Sequence, residues 1–441
     1  MDQPTKLMNR NFFLIWQGQA VSRLGSQLYA MAMILWIVEA TNSATLMGLI
    51  AMVGSIPALI LSPIGGTFAD RHSRRAIIIT SDILNGIVMI ILATLVFVFS
   101  TRTDLIVVSL FIVSILSAII NSFFYPAISA AIPDLVPKNK ISGANTLSQL
   151  SMQISMLIGQ GLGGGLFRIL GGPLIFLFDG LTYLFSAGSE AFITIPQKII
   201  KTPANLSEQF RAFKTDLIDG LQYIWQRVGL RNLILVSTFL SFFVTPIIIL
   251  FPFFVEKYLN LGERWGEWLG FLLAIYGASN LLGYIVAGFF QFSGKTRTRI
   301  MISFFIIESG LYGLLGLANQ PLTVIILAVI AGFMSGYVSV IIITILQTTT
   351  PSEIRGRVFG LMGTLAGALT PLAMGLSGTL ADLVDQNIPL IYFVCGAMMA
   401  LLSVLVAFSK DFREYIAYKV PTEEIEIKPE ETNVLSQELV D

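Results

Sequence analysis

Residues 65–75 read GGTFADRHSRR, from Gly65 to Arg75. One acid, Asp70, is followed by Arg71, Arg74 and Arg75, with the chain's single histidine, His72, among them. On either side the chain is oily: residues 44–64 carry no charged side chain, and residues 76–99 carry only Asp82. A helix needs roughly 20 apolar residues to cross about 30 Å of hydrocarbon. The stretch therefore reads as a tight polar loop between two membrane spans, and that reading sets the fold.

Runs of the same kind recur along most of the 441 residues, of which 12% are charged and 55% hydrophobic. An ordinary soluble domain carries about 25% charged residues. The runs are continuously apolar, without the in-out alternation of a barrel strand, so only helices fit them. Spans are expected at 11–39, 45–68, 76–99, 104–132, 142–169, 172–196, 231–256, 265–291, 299–318, 322–347, 357–382 and 388–409. The first is followed by many others and reads as a retained span rather than a signal peptide.

An even number of spans puts both termini on one side. All but Arg23, Arg102, Arg168, Lys257 and Arg264 of the 27 Lys and Arg residues then fall on the side of the N-terminus and the Asp70 loop. By the positive-inside rule that side is cytoplasmic. The chain also repeats itself. Pro137 and Pro351, Gly161 and Gly375, Gly164 and Gly378, and Leu166 and Leu380 share one offset of 214 residues. Two homologous six-span halves follow from this, the plan of a transporter that holds substrate between them. The expected units are residues 1–197 and 231–410 as bundles. Residues 198–230 read as an amphipathic cytoplasmic connector, with Phe210, Phe213, Leu217, Leu221 and Ile224 at helical steps, and residues 411–441 as an acidic disordered tail.

Several functions are excluded. Cys395 is the only cysteine, so no intrachain disulfide forms; with His72 as the only histidine a His/Cys metal site has no ligands to draw on, and a Ser-His-Asp hydrolase would need that one loop histidine. No phosphate loop is present, since the one Gly-Lys-Thr triplet, Gly294 to Thr296, has Phe289 where the loop's first glycine would stand. The intramembrane acids are scattered, so no enzyme is expected, nor any cofactor, metal or nucleic-acid partner.

Glycine, three residues, Asp-Arg, two residues and then basic residues, here Gly66, Asp70, Arg71, Arg74 and Arg75, resembles the loop signature after the second span of the major facilitator superfamily. Ser73 stands where that signature usually has glycine, and Phe292 stands in the second-half loop where the acid would be. The chain is similar to the macrolide-efflux and siderophore-export branch through FFLIWQGQAVSRLGSQ, TNSATLMGL, PAISAAIPDLVPKNKISGANTLSQ, DLIDGLQYIWQRVGLRN and TPSEIRGRVFGL. Its antiporter signature corresponds to Gly159, Gly161, Gly163 and Gly164, with Gln160 in the place of proline.

The resemblance implies an all-α membrane protein with twelve transmembrane helices in two pseudo-symmetric six-helix bundles. It implies a monomeric exporter in the bacterial cytoplasmic membrane, working by alternating access on an amphipathic small molecule, with protons as the coupling ion and lipids around it. A lipid or lysophospholipid flippase of the same fold is the alternative, and it would show an apolar rather than an aqueous gap between the halves. Gly66 is expected to permit close helix approach, and Asp70 to act as a latch on the cytoplasmic side. Arg23, about 18 Å into the first span, is the leading cavity charge, with Gln19 and Gln27 four residues either side and Asn121, Tyr125, Gln149 and Gln153 as further cavity groups. Asp82, Asp179, Glu190 and Glu308 are the acids in or near spans that can carry a proton, although the third, sixth and ninth spans are usually peripheral in this fold.

Overall fold

A computed structural model describes residues 6–197, 215, 218–290, 292 and 294–418. Among these residues every regular element is helical. The first half holds α1 (Arg10–Thr41), α2 (Ala44–Arg71), α3 (Arg74–Val98), α4 (Thr103–Leu135) and α5 (Ile141–Glu190). The second holds α6 (Val228–Tyr258), α7 (Trp265–Phe289), α8 (Gly294–Leu315), α9 (Pro321–Thr349), α10 (Ser352–Leu383) and α11 (Ile388–Phe408), followed by the short α12 (Lys410–Ile416).

Local sequence sets the ends. Asn9 starts α1 by accepting the Phe12 amide, and Asn42 ends it in the left-handed region at φ 48°. Ser73 accepts the Ala76 amide and so caps α3, which gives the serine in the glycine position of the loop signature a structural task. The fifty residues of α5 are two crossings, because Gly171 at φ 74° and ψ 165° doubles the chain back just before Pro173. Eleven described helices are long and apolar enough to span, and α5 supplies the twelfth crossing. The second arm of α5 ends at Glu190 rather than at 196. The next residues turn toward the Asp70 loop, where Gln197 accepts the Arg74 amide and donates to the Ala69 and His72 carbonyls.

In the first half α1 and α3 lie along α5, and α2 lies along α4; in the second α7 lies along α9 and α8 along α11. The halves meet along two seams, α2 with α10 and α5 with α7. The repeat is visible there. A side chain at Gly164 would overlap the Gly266 carbonyl of α7, and one at Gly378 would overlap the Ala44 carbonyl of α2, so the two related glycines each permit one seam.

Two expectations meet partial outcomes. In the connector, Phe210, Phe213 and Leu217 lie outside the described residues, while Ile224 is buried and Leu221 exposed. The region from 411 was expected as disordered tail, yet it opens with α12, which buries Phe412 and Ile416 and packs on α6; residues from 419 on lie outside the described set.

Candidate functional site

The two ends of the molecule are built differently. Asp382, in the last turn of α10, accepts hydrogen bonds from the Thr45 amide at 2.8 Å, the Ser43 hydroxyl at 3.1 Å and the Ala44 amide at 3.3 Å. A carboxylate of one half thus sits on the N-terminus of α2 in the other, where free amides and the helix dipole favour an anion. Gln386 braces it, donating to Asp382 at 2.7 Å and to the Asn42 carbonyl at 2.8 Å. The second seam closes at the same end through Arg168 of α5, which lies 2.8 Å from Glu267 and 3.6 Å from Glu263.

At the Asp70 end the α2–α10 seam is open. Gly66 on α2 and Gly360 and Gly363 on α10 face open space. Gly66 therefore does not make the close helix approach expected of it; its neighbour Gly65 does, with its α-carbon against the Ser122 backbone of α4. Asp70 pairs with Arg74 at 3.1 Å, one helical turn on, and Arg74 also reaches Asp134 at 2.6 Å and the Ala130 carbonyl at 3.0 Å. Arg75 donates to the Ala191 carbonyl. These contacts are all made within the first half.

Between the closed and open ends lies the cavity. A chamber of about 290 Å³ is lined by Met156 and Gln160 of α5 and by Phe251, Leu272, Tyr276, Asn280, Tyr312 and Leu327 of the second half. Tyr276 and Tyr312 also line a more polar recess of about 190 Å³ that holds Glu308, Ser335 and Ser339. Tyr312 donates to Glu308 at 3.1 Å and its oxygen lies 3.3 Å from that of Tyr276. Among the described residues no cation lies within ion-pair distance of Glu308. Tyr276 and Tyr312 belong to no motif, and sequence reasoning passed over them.

The first-half candidates separate. Arg23 donates to the Ser148 carbonyl of α5 at 2.9 Å and is partly buried, with Tyr125 within electrostatic reach and 59% exposed. Gln27 packs against Gly159, Gln153 is partly buried, and Gln149 is exposed. Gln19 does not join them. It is 5% exposed and donates to Glu190 at 2.8 Å, Ser186 at 3.2 Å and Asp82 at 3.4 Å. Each step of four residues turns a helix by about 40° beyond a full turn, so Gln19 and Gln27 face different neighbours. Asn121 likewise ties α4 to α3, accepting from Asn85 at 3.3 Å. The glycine run splits by face: Gly159 and Gly163 abut Gln27 and Met31 of α1, while Gly161 and Gly164 abut Ala274 and Gly266 of α7.

The family model described as Major Facilitator Superfamily matches residues 15–368 and 269–435. The chain is 27% identical over 378 residues to macrolide efflux protein A of Streptococcus pyogenes, covering 85% of this chain and 90% of that one. It is 26% identical over 393 residues to the multidrug efflux pump Tap of Mycolicibacterium fortuitum, covering 86% and 91%. Among solved structures, the nucleoside transporter NupG superposes with a TM-score of 0.70 at 13% identity, over 93% of this chain and all of the other. A D-xylose-proton symporter superposes at 0.68 and 16% identity, with 93% and 100% covered.

Proposed function

The chain belongs to the Major Facilitator Superfamily, and we propose that within it the protein exports an amphipathic small molecule, a drug, macrolide-like compound or siderophore, by alternating access coupled to proton entry. The observation that carries this reading is the asymmetry of closure around the chamber, whose largely apolar lining keeps a lipid or lysophospholipid flippase of the same fold as the alternative. Asp382 seals one end across the halves, α2 and α10 meet open space at the Asp70 end, and the chamber is walled chiefly by the second half, with Met156 and Gln160 from the first. Such a chamber suits a molecule with an apolar body and few polar groups. Efflux proteins among the relatives support the direction of transport.

On the distribution of Lys and Arg, the Asp70 end and both termini face the cytoplasm of a bacterium. The conformer then loads from inside. In the alternate state the Asp382 contacts break, the cytoplasmic ends of α2 and α10 approach, and Asp70 becomes the latch on that side. One proton entering down 100 mV supplies about 2.3 kcal/mol, to which the pH gradient adds. The transporting unit is a monomer in lipid.

Inside-out vesicles containing the purified chain test the proposal. A fluorescent macrolide-like substrate should accumulate when the lumen is acidified, and a protonophore should abolish it. Accumulation that persists unchanged without the gradient would remove proton coupling.

A further inference from the structure

The first half buries a line of acids and hydroxyls that the chamber does not touch. On the second arm of α5, Asp179, Thr182, Tyr183, Ser186 and Glu190 recur at steps of one to four residues and form a stripe about 16 Å long at 1.5 Å per residue. Against it α1 sets Gln19 and Ser26, and α3 sets Asp82 and Asn85, with Asn121 of α4 behind. Asp82 is 1% exposed, Asp179 and Glu190 0%.

The stripe has two stations. At the first, the Gln19 side-chain amide donates to Glu190, Ser186 and Asp82, so the two carboxyls lie against one amide nitrogen. At the second, the Ser26 hydroxyl lies 3.3 Å from Asp179 and 3.0 Å from the Tyr183 oxygen. The other titratable groups within reach are Tyr29 and Tyr125. Among the described residues no Lys or Arg forms an ion pair with any of the three acids. Moreover, one carboxyl oxygen of Glu190 and one of Asp179 are buried with no hydrogen-bond partner.

An ionised carboxylate only accepts hydrogen bonds. Two carboxylates gathered on one amide nitrogen repel each other unless one is protonated, and an unpaired carboxylate at this depth is costly. Among the described residues no cationic side chain offsets these carboxyls, and the smallest species that does so is a proton.

We propose that this buried stripe is the proton site of transport, with the Asp82–Glu190 pair holding the proton toward the Asp70 end and the Asp179–Ser26–Tyr183 group receiving it further along. Only O–H bonds are made and broken: a carboxyl gives its proton to the next carboxylate through the intervening hydroxyls. This inference rests on the proton-coupled reading above and places the coupling site off the substrate chamber. Gln19 supplies the mechanical link, because α1 also carries Arg23 against Ser148 and Gln27 against Gly159. A change of charge at the pair is thereby felt by the first arm of α5, which forms a seam with the other half.

Two readouts test it. In lipid nanodiscs, infrared difference spectra of the wild type across a pH jump should contain the C=O band of a protonated carboxyl, and Asp82→Asn/Glu190→Gln should lack it. In vesicles, the same double variant should lose proton-driven accumulation by at least roughly tenfold, while exchange of labelled for unlabelled substrate without a gradient continues. If the double variant does not purify as a monodisperse protein, Asp82→Asn and Asp179→Asn carry both measurements singly. A band that survives the substitutions, or accumulation at the wild-type rate, overturns the proposal. A wild type that fails to accumulate substrate sinks the export reading instead, and the infrared result then decides the stripe alone.

Discussion

The carboxylate of Asp382, at the end of α10, lies 2.8 Å from the amide nitrogen of Thr45 in the first turn of α2. Losing a helix N-cap costs about 0.5–2 kcal/mol, and this cap joins two halves rather than one helix to itself. Asp382→Ala should therefore shift the balance of conformers away from closure at this end by roughly tenfold, about 1.4 kcal/mol. Asp382→Asn, which still caps, should shift it less. Spin labels at the exposed Thr101 and Leu317 read the change as a longer distance; identical distributions in all three proteins would leave the cap without a conformational role.

Arg168 closes the other seam on different terms. Its side chain is 48% exposed and its partners Glu267 and Glu263 are 27% and 91% exposed. Exposed pairs are worth about 0–1 kcal/mol and are screened by salt. Arg168→Gln should move the same label distances less than Asp382→Ala does, and the difference from wild type should vanish in high salt. An effect as large as that of Asp382→Ala would mean that the Arg168 pair carries the closure.

The contrast between Gly65 and Gly66 is a packing prediction. A methyl group at Gly65 would overlap the Ser122 carbonyl, while one at Gly66 meets nothing within 4 Å. Overpacking costs about 1–3 kcal/mol, so Gly65→Ala should lower the melting temperature in detergent and Gly66→Ala should not. Equal melting of the two variants would contradict the packing.

Glu308 lies in the recess that shares Tyr276 and Tyr312 with the apolar chamber, and no described cation pairs with it. A lipophilic cation in the chamber should therefore favour the ionised form of Glu308 and be held by it. Glu308→Gln should weaken binding of tetraphenylphosphonium roughly tenfold, about 1.4 kcal/mol, with little change for an uncharged ligand of similar size. Equal weakening of both would assign Glu308 to the shape of the chamber rather than to its charge.

What could be read from the sequence follows from what is local. Span positions are legible because the apolar runs end at charged or turn-forming residues, as at Asp70 to Arg75 and at Gly171 to Pro173. The repeat pointed to Gly164 and Gly378, and both prove to be contact points of the seams. Asp382 was not legible, since its partners at Ser43 to Thr45 come from the other half and no motif joins them. Gln19 was assigned to the cavity because it shares a four-residue step with Arg23; the helix drifts by about 40° per step, enough to turn it to the acids instead. Gly65 and Gly66 are adjacent in sequence, and only the position of α4 separates their roles.

Arg74 is shared by two acids of unequal standing. Asp134 holds it at 2.6 Å and is 34% exposed, whereas Asp70 lies at 3.1 Å and is 54% exposed. Asp70 is thus the partner more readily released when the cytoplasmic ends of the halves approach. Asp70→Asn should slow transport several-fold, with substrate affinity and membrane insertion unchanged, because a neutral amide caps or pairs more weakly than a carboxylate. Asp134→Asn should slow it as well, for the opposite reason: with its tighter partner gone, Arg74 turns wholly to Asp70 and retains it in the first half. Stopped-flow transport in proteoliposomes distinguishes the two, since raising salt should weaken the remaining exposed Asp70–Arg74 pair and speed Asp134→Asn toward wild type while leaving Asp70→Asn slow. Wild-type rates for Asp70→Asn would remove the latch.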